Sequence, residues 1–293
     1  MKLFHKFTLS LTVVILSVYA TVSIAVAQTD PVATPTPTYL SDRGDGVATS
    51  IAGTYVRRGE LLVYPFYEYD RFNNFEYKPE EFGVVGNKDF RGKFRRHEGL
   101  IFLAYGITKN LAVEFEAATI SATFNKSPLD TSAVPARIKE SGLGDVETRL
   151  NWRWLEENKR HPEIFSYTSV VFPHNKNKNL IGTSGWEVNV GTGVTRGFKH
   201  GTVTVRGALS YSAASTSKFD LGELAVDYLK RLSPKWRLYL GVEGKLDEVS
   251  FIPELQWHLK RNVFIKFNSG VGLTPKAPRW APEVGVLFTL GKH

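Results

Sequence analysis

The chain contains no cysteine among its 293 residues, which excludes a disulfide scaffold, a thiol nucleophile and a cysteine metal site. Beyond residue 27 it also lacks any run close to the roughly 18 uninterrupted apolar residues of a membrane-spanning helix. Histidine and aspartate nowhere show the dense spacing of metal ligands. We therefore expect no metal, no cofactor and no helical membrane span in the mature chain.

The N-terminus has the three parts of an export signal. Lys2 and Lys6 supply the positive start, an apolar run covers 9–25, and Ala25-Val26-Ala27 forms a small-residue cleavage site. A transmembrane anchor is the alternative, but serine and threonine interrupt the run and the cleavage site follows directly. The sequence predicts a signal peptide at 1–27 and a mature chain beginning at Gln28.

The charge balance of the mature chain is weakly basic. Removing Lys2 and Lys6 with the signal leaves 35 of the 37 basic residues against 29 acidic ones, a net charge of +6. That asymmetry is too small to indicate a nucleic-acid partner, and we expect none. Residues 28–51 are rich in Pro and Thr, which favours an extended periplasmic tail that cannot build a core. The main domain is predicted at 52–293.

The main domain is a series of segments, each about ten residues long, in which apolar and polar side chains alternate. In Trp236–Lys245, the apolar side chains share one face of an extended chain, and Arg237, Glu243 and Lys245 share the other. A strand of this length can cross a bilayer. Because lipid offers no partner for backbone polar groups, spanning strands exist only as closed barrels. The alternation predicts a membrane barrel with an apolar exterior and a polar interior.

Twelve such segments lie after residue 59, an even number that would return both termini to the periplasm. They lie at about 60–70, 94–106, 111–121, 144–155, 163–173, 185–197, 201–213, 219–231, 235–246, 249–260, 262–272 and 281–290. Short and longer connections alternate broadly, and the two longest, 71–93 and 122–143, fall on one side as external loops do. The predicted fold class is all-β, a closed antiparallel transmembrane β-barrel of about 12 strands in the cell outer membrane.

A soluble β-sandwich or a lipocalin-like barrel is the competing fold, since its strands also alternate. Its charged face would lie outside and its apolar face would fill one core. Aromatic residues near the short-turn ends of the strands favour the membrane reading, because such rings prefer the interface. They are Trp154, Tyr228, Trp236 and Trp257.

The run Ser141-Gly142-Leu143-Gly144-Asp145-Val146, which leads into 147–154, resembles the start of a strand in a family of outer-membrane barrels. That family is named for the meta pathway of phenol degradation. The resemblance implies a barrel from Leu61 onward and transport of aromatic or other apolar compounds. We expect Gly142 and Gly144 to form a tight turn at the end of the third connection, with Asp145 bonded to the local backbone.

Many outer-membrane barrels end in an aromatic residue that the barrel assembly machinery recognises, whereas this chain ends in Phe288-Thr-Leu-Gly-Lys-His293. Phe288 is a near substitute, so we expect that machinery to be a partner. Outer-membrane lipids and a small-molecule solute are the other expected partners.

Inward-facing charged side chains form the candidate site that lines the lumen. They are Glu114, Glu116, Glu147, Arg149, Arg153, Arg206, Glu223, Asp227, Arg237, Glu243, Lys245, Glu254, His258, Lys266 and Glu283. About eight strands fill their interior with side chains and about sixteen leave an aqueous channel, so twelve lies between. Two arrangements stay open: the charges pair across strands and plug the lumen, or they line a narrow mixed-charge path.

Three functions are consistent with these patterns. The first is a narrow channel or transporter for small or apolar solutes, and the second is a closed barrel that binds a partner through its external loops. A lipid-modifying enzyme is the third, but it needs a serine and a histidine within hydrogen-bond reach. Only His258 lies in a well-defined strand, and it faces inward. We therefore assign no catalytic residue and do not expect an enzyme.

Basic residues gather in two places, Arg91, Lys93, Arg95 and Arg96 in one and Lys176 and Lys178 in the other. They are either solvated loop charges or contacts for anionic head groups and lipopolysaccharide phosphates at the cell surface.

Overall fold

The structure is a computed structural model that describes residues 37–174, 177–214, 218–245 and 247–291. The predicted signal peptide at 1–27 and residues 28–36 of the predicted tail lie outside these residues. Among the described residues, no helix has the length and apolar character needed to cross a membrane. The helical segments in this part of the chain are two short 3-10 turns, Thr38–Leu40 and Pro79–Phe82.

Twelve antiparallel strands close into one barrel, with neighbours in chain order and the last strand paired to the first. They are β3 (Leu61–Tyr77), β4 (Phe90–Gly106), β5 (Leu111–Asn125), β6 (Arg137–Leu155), β7 (Glu163–Phe172), β8 (Glu187–Phe198), β9 (Gly201–Ser212), β10 (Phe219–Arg231), β11 (Trp236–Lys245), β12 (Glu248–Lys260), β13 (Val263–Gly272) and β14 (Ala281–Leu290). Two short strands, β1 (Val47–Ala48) and β2 (Tyr55–Val56), pair separately. The predicted fold class and strand number are confirmed.

The pleat of the strands sorts side chains to the two faces of the barrel wall. Val226 of β10 lies opposite Val242 of β11, and the two are 53% and 41% exposed. Their neighbours Ala225 and Asp227 point inward and are buried. Exposed apolar side chains recur on every barrel strand, far beyond the patches that a soluble monomer carries. This outer surface suits lipid, and the soluble alternative does not explain it.

The barrel wall has unequal height. Strands β3 to β6, which we call the tall wall, have 15 to 19 residues, whereas β7, β11, β13 and β14 have 10. The connections predicted at 71–93 and 122–143 are therefore shorter, at 78–89 and 126–136. The extra strand length is stabilised by rings packed on its inner face: Phe75 lies 4.7 Å from Phe94 and 6.0 Å from Phe124.

The glycine motif of β6 forms a bulge inside the strand rather than the predicted turn. The register of β5 on β6 shifts between Ala117 and Thr119, opposite 143–146. Gly144 lies so close to the wall that a Cβ there would be 2.6 Å from the Ile120 side chain. Asp145 accepts the backbone N–H of His174 at 2.8 Å and of Thr183 at 2.6 Å. The expected bond to local backbone is therefore wrong, because Asp145 fastens the distant β7–β8 connection.

Candidate functional site

The interior of the barrel at its short-turn end is filled by residues 37–60, which we call the inner segment. The short-turn end is the one with the connections 107–110, 156–162, 199–200, 232–235 and 261–262. Val47 and Val56 of the inner segment pair in the two-stranded sheet and are almost fully buried. The extended tail without a core that the composition predicts is thus wrong for residues 37–51.

Charged contacts hold the inner segment to the wall at its first turn. Arg43 Nη2 donates to Glu157 Oε2 and to Glu163 Oε2, both at 3.1 Å, and all three side chains are buried. The Arg43 guanidinium also lies 4.9 Å above the Tyr55 ring. Arg153 of β6 donates to the Gly46 carbonyl at 2.8 Å. The buried charges therefore have partners, as burial in a low-dielectric interior requires.

Further along, the inner segment is held by side chains of two strands, β5 and β13. The Ser50 backbone N–H donates to Glu114 of β5 at 3.0 Å, and the Ser50 hydroxyl bonds to the same carboxylate. Lys266 Nζ of β13 donates to the Ala52 carbonyl at 3.1 Å and lies 3.0 Å from Glu254 Oε2. Because three other strands separate β13 from β5, these contacts hold the segment at two distinct places on the wall.

An arginine on β9 organises the middle of the lumen. Arg206 Nη2 lies 2.8 Å from Glu223 Oε1 and 2.7 Å from Glu243 Oε2, and Arg206 also bonds to Asp227. The Tyr239 hydroxyl donates to Asp227 at 2.7 Å. One cation thus faces three carboxylates from two neighbouring strands, so this level of the lumen keeps an excess of negative charge.

Four cavities follow one another through the interior. The cavity at the long-loop end has a volume of about 510 Å³ and shares Glu147, Arg149, Glu223 and Glu243 with a second cavity of about 180 Å³. The second shares Ser50, Arg149 and Arg206 with a third of only about 40 Å³, which has room for about one water molecule. The third meets a cavity of about 140 Å³ at the short-turn end along 53–55. The inner segment therefore forms the narrowest point.

All fifteen side chains of the predicted site lie on the inner surface, at different levels. Glu116, Glu147, Arg149, Arg206, Glu223, Glu243 and Lys245 line the two larger cavities, and Asp227 lines the smallest. Glu114, Arg153 and Lys266 bond to the inner segment, and Glu254 pairs with Lys266. Arg237 and His258 line the cavity at the short-turn end, and Glu283 accepts the Tyr64 hydroxyl at 2.5 Å. Paired and cavity-lining charges thus coexist at separate levels.

Two features of the interior are absent from the sequence prediction. One is the inner segment itself. The other is an apolar inner surface on the tall wall, which includes Tyr64, Phe102 and Phe124 and receives Leu180 and Ile181 from the β7–β8 connection. The sequence does contain a signal for the apolar inner surface. Phe102 and Leu103 are consecutive apolar residues in a strand whose outer face is already apolar. Such a strand predicts a filled interior.

A closed antiparallel barrel with an apolar exterior and a charged interior defines the class of the chain as an outer-membrane β-barrel. The fold is similar to an outer membrane channel from Pseudomonas putida F1, with a TM-score of 0.61 and 14% identity over 90% of this chain and 100% of that one. It is also similar to the translocator domain of the autotransporter NalP from Neisseria meningitidis, with a TM-score of 0.50 and 14% identity over 78% and 88% of the two chains. No protein-family model and no curated protein matches the sequence. The predicted location in the outer membrane is confirmed.

Proposed function

We propose that the protein is an outer-membrane channel for small solutes, closed by its inner segment in the state described. The observation that carries the proposal is the row of four cavities with shared linings, narrowed to about 40 Å³ beside 48–55. A barrel that served only as a scaffold has no need of adjoining cavities along its axis. The similar barrel from Pseudomonas putida is described as a channel, which supports the same assignment here.

The charge of the second cavity guides the solute class. Its lining holds five glutamates and two arginines, namely Glu114, Glu116, Glu147, Glu223, Glu243, Arg149 and Arg206. Small anions are therefore disfavoured relative to neutral or cationic solutes. The resemblance of 141–154 to the barrels named for phenol degradation, together with aromatic side chains such as Phe102 on the cavity wall, supports a small apolar or aromatic solute.

Single-channel recording of the full-length protein in planar bilayers tests this proposal. Arg43→Gln combined with Ser50→Ala removes the side-chain hydrogen bonds of the inner segment to three buried carboxylates, Glu157, Glu163 and Glu114. We expect the open probability to rise roughly tenfold or more, since one hydrogen bond to a charged group contributes about 1.5–3 kcal/mol. Lys235→Gln, on the exposed short-turn end, is the matched control and should behave like the wild type.

Equal open probabilities in the two variants would contradict closure by the inner segment. No conductance in any variant, together with no uptake of small neutral solutes into liposomes, would reject the channel. That second outcome favours the closed surface-binding barrel, which the filled short-turn end also permits.

Among the described residues, the histidine hydrogen bonds run from His97 to Tyr67 and from His161 to Asn158, and none joins a histidine ring to a serine hydroxyl.

Recognition by the barrel assembly machinery remains part of the proposal. Phe288 lies in β14, the last strand, opposite Val63 of β3 and Val263 of β13. Phe288 thus borders the seam at which β14 pairs with β3 to close the barrel, and this position supports it as the side chain that the machinery contacts.

A further inference from the structure

Cationic side chains gather on the outer face of the tall wall, near its long-loop rim. We call this set the basic face: Arg71, Lys93, Arg95, Arg137 and Lys139. Their outward direction follows from the pleat, because Phe94, between Lys93 and Arg95, is buried inside the barrel. A basic surface that belongs to a continuous sheet is held more rigidly than lysines on a loop.

The strand register places the basic face in two rows. Arg71 is opposite Arg95, Arg95 is opposite Thr123, and Thr123 is opposite Lys139, so one row crosses all four strands. Lys93 and Arg137 flank Asn125 in the next row. Like charges directly opposite each other across a strand pair are destabilising. A bound anion would offset the repulsion between Arg71 and Arg95.

The basic face lies just beyond an aromatic belt on the same strands. Tyr69 packs against Trp280 at 5.7 Å, and the Tyr67 hydroxyl lies 2.7 Å from His97 Nδ1. Aromatic rings of this kind mark the level of the lipid head groups. Arg71 is two residues further along β3, about 7 Å at the rise of an extended strand. The cations therefore stand at the height of head-group phosphates.

The members of the basic face have no acidic partner among the described residues. No cationic nitrogen of this set lies within 4.0 Å of a carboxylate oxygen there. Neighbouring cations differ. Arg91 lies 3.8 Å from Glu76, and Arg96 points inward to Asp70 and Glu98. Lys178 donates to a backbone carbonyl at 2.6 Å, and Lys176 lies outside the described residues. The cluster expected from the sequence thus loses some members and gains others.

The rest of the rim has a different chemistry. Phe172 packs on Trp186 at 4.8 Å, and Tyr211 packs on Phe219 at 5.1 Å, along the tops of β7 to β10. These rings lie below the rows of cations, because Phe172 pairs with Val146 of β6 and Lys139 lies seven residues closer to the rim on that strand. Among the described residues, the two rows of cations thus lie on the part of the tall wall that extends beyond the neighbouring strands.

We propose that the basic face is a binding site for a phosphorylated glycolipid of the outer leaflet. The two rows of cations hold its phosphate groups, and its acyl chains lie below them along the apolar exterior of β3 to β6. The chemistry that selects the ligand is a pair of phosphates at head-group height joined to several acyl chains. This site is independent of the channel proposal, because none of its residues lines the lumen cavities.

Native mass spectrometry of the folded, full-length barrel in detergent tests the site, with bisphosphorylated lipid A as the probe. The test variant Arg71→Gln/Arg95→Gln/Lys139→Gln removes one row of cations. The matched control, Lys159→Gln/Lys199→Gln/Lys235→Gln, makes the same change in net charge with exposed lysines at the short-turn end. We expect lipid A affinity to fall roughly tenfold to a hundredfold in the test variant and to stay unchanged in the control.

Three further arms separate the sources of binding. The charge-conserving variant Arg95→Lys/Lys139→Arg should retain lipid A, which shows that charge rather than folding is lost in the test variant. Dephosphorylated lipid A should bind as weakly to the wild type as lipid A does to the test variant. Inorganic phosphate at millimolar concentration should not displace the lipid. Equal affinities in the test and control variants, or equal binding of the dephosphorylated lipid, would overturn the site.

Discussion

The two halves of the lumen differ in what occupies them: the short-turn half is filled by the inner segment, and the long-loop half contains a large cavity. At the short-turn end, the inner segment occupies the interior and its Arg43 and Ser50 bond to carboxylates of the wall. At the long-loop end, a cavity of about 510 Å³ remains, bounded by polar groups of β6 to β12. Both halves have charged walls, so wall charge alone does not decide whether a level of the barrel is filled.

The difference lies in where each charge finds its partner. Arg206 pairs with Glu223 and Glu243 on the wall itself, which leaves the centre free. Lys266 instead reaches the Ala52 carbonyl of the inner segment as well as Glu254. Where the charged side chains of the wall pair with each other, they can line an open path. Where they bond to a separate segment, they hold that segment in the lumen. The two interpretations of the sequence pattern therefore apply at different levels of one barrel.

The largest expected effect comes from removing the cation of the closed half. Lys266→Met leaves Glu254 buried without its ion pair, and loss of one partner of such a pair costs about 3–5 kcal/mol. We expect the free energy of unfolding in lipid vesicles to fall by about that amount, measured by urea titration with tryptophan fluorescence. Lys266→Met/Glu254→Leu should recover most of the loss, and the exposed Lys235→Met should show none. A loss equal in the single and double variants would contradict the paired-charge account.

Two glycines of β8 test how tightly each half is packed. Gly193 lies opposite Phe165 and Gly191 opposite Tyr167, and a Cβ at either would lie 2.3 Å or 2.2 Å from the ring. Tyr167 borders the 510 Å³ cavity, whereas Phe165 borders only the narrowest one. Gly193→Ala should therefore cost about 1–3 kcal/mol of unfolding free energy, and Gly191→Ala clearly less, because Tyr167 can move into space. Equal losses in urea titrations would mean that both halves are packed alike.

The barrel itself could be predicted from the sequence because its strands obey one simple rule. Alternation along Trp236–Lys245 places apolar groups outside and charges inside, and the structure has a strand with those bounds, one residue shorter at each end than the predicted 235–246. The direction of inward charges such as Glu147 and Arg149 follows from the same period of two. Where an outer face must meet lipid, the sequence pattern has little freedom, and prediction is correspondingly good.

The closure of the lumen could not be predicted, for two physical reasons. The inner segment is short of apolar residues, and its burial depends on partners more than a hundred positions away, such as Arg43 with Glu157 and Glu163. No local period records such contacts. The extra length of β3 in the tall wall could not be predicted either. A bulge between Phe72 and Phe75 breaks the alternation within what is still one strand.

A third experiment tests the open half through its selectivity. Arg206→Gln removes the cation that faces Glu223, Asp227 and Glu243, so the lumen becomes more negative. Arg206→Gln should be added to the conducting variant Arg43→Gln/Ser50→Ala. In a KCl gradient it should shift the reversal potential further toward cation preference, with a several-fold increase in the permeability ratio of K⁺ to Cl⁻. Lys109→Gln at the exposed short-turn end is the control. An unchanged reversal potential would show that solutes do not pass this level.

The smallest effect is expected at the long-loop rim, outside the membrane. Lys276 Nζ lies 2.5 Å from Asp247 and 2.8 Å from Glu76. The hydrogen bond from Lys276 lowers the pKa of Asp247 below its ordinary value, and the pKa of Lys276 rises to about 12. Because the folded pKa of Asp247 is lowered, its stabilising contribution is present above the unfolded pKa and is lost as the pH falls through the folded one.

Lys276→Gln should therefore leave global unfolding unchanged, since exposed ion pairs contribute little. It should increase hydrogen exchange of 273–280 at neutral pH, while the wild type and the variant should have equal protection factors once Asp247 is protonated. Lys218→Gln, at an exposed rim lysine whose bond is to the Ala213 carbonyl, should not affect 273–280 at any pH. A difference between the Lys276 variant and the wild type that persists at acid pH would assign the connection's order to packing instead. The rim of the long-loop half would then be ordered by packing and not by the ion pairs of Lys276.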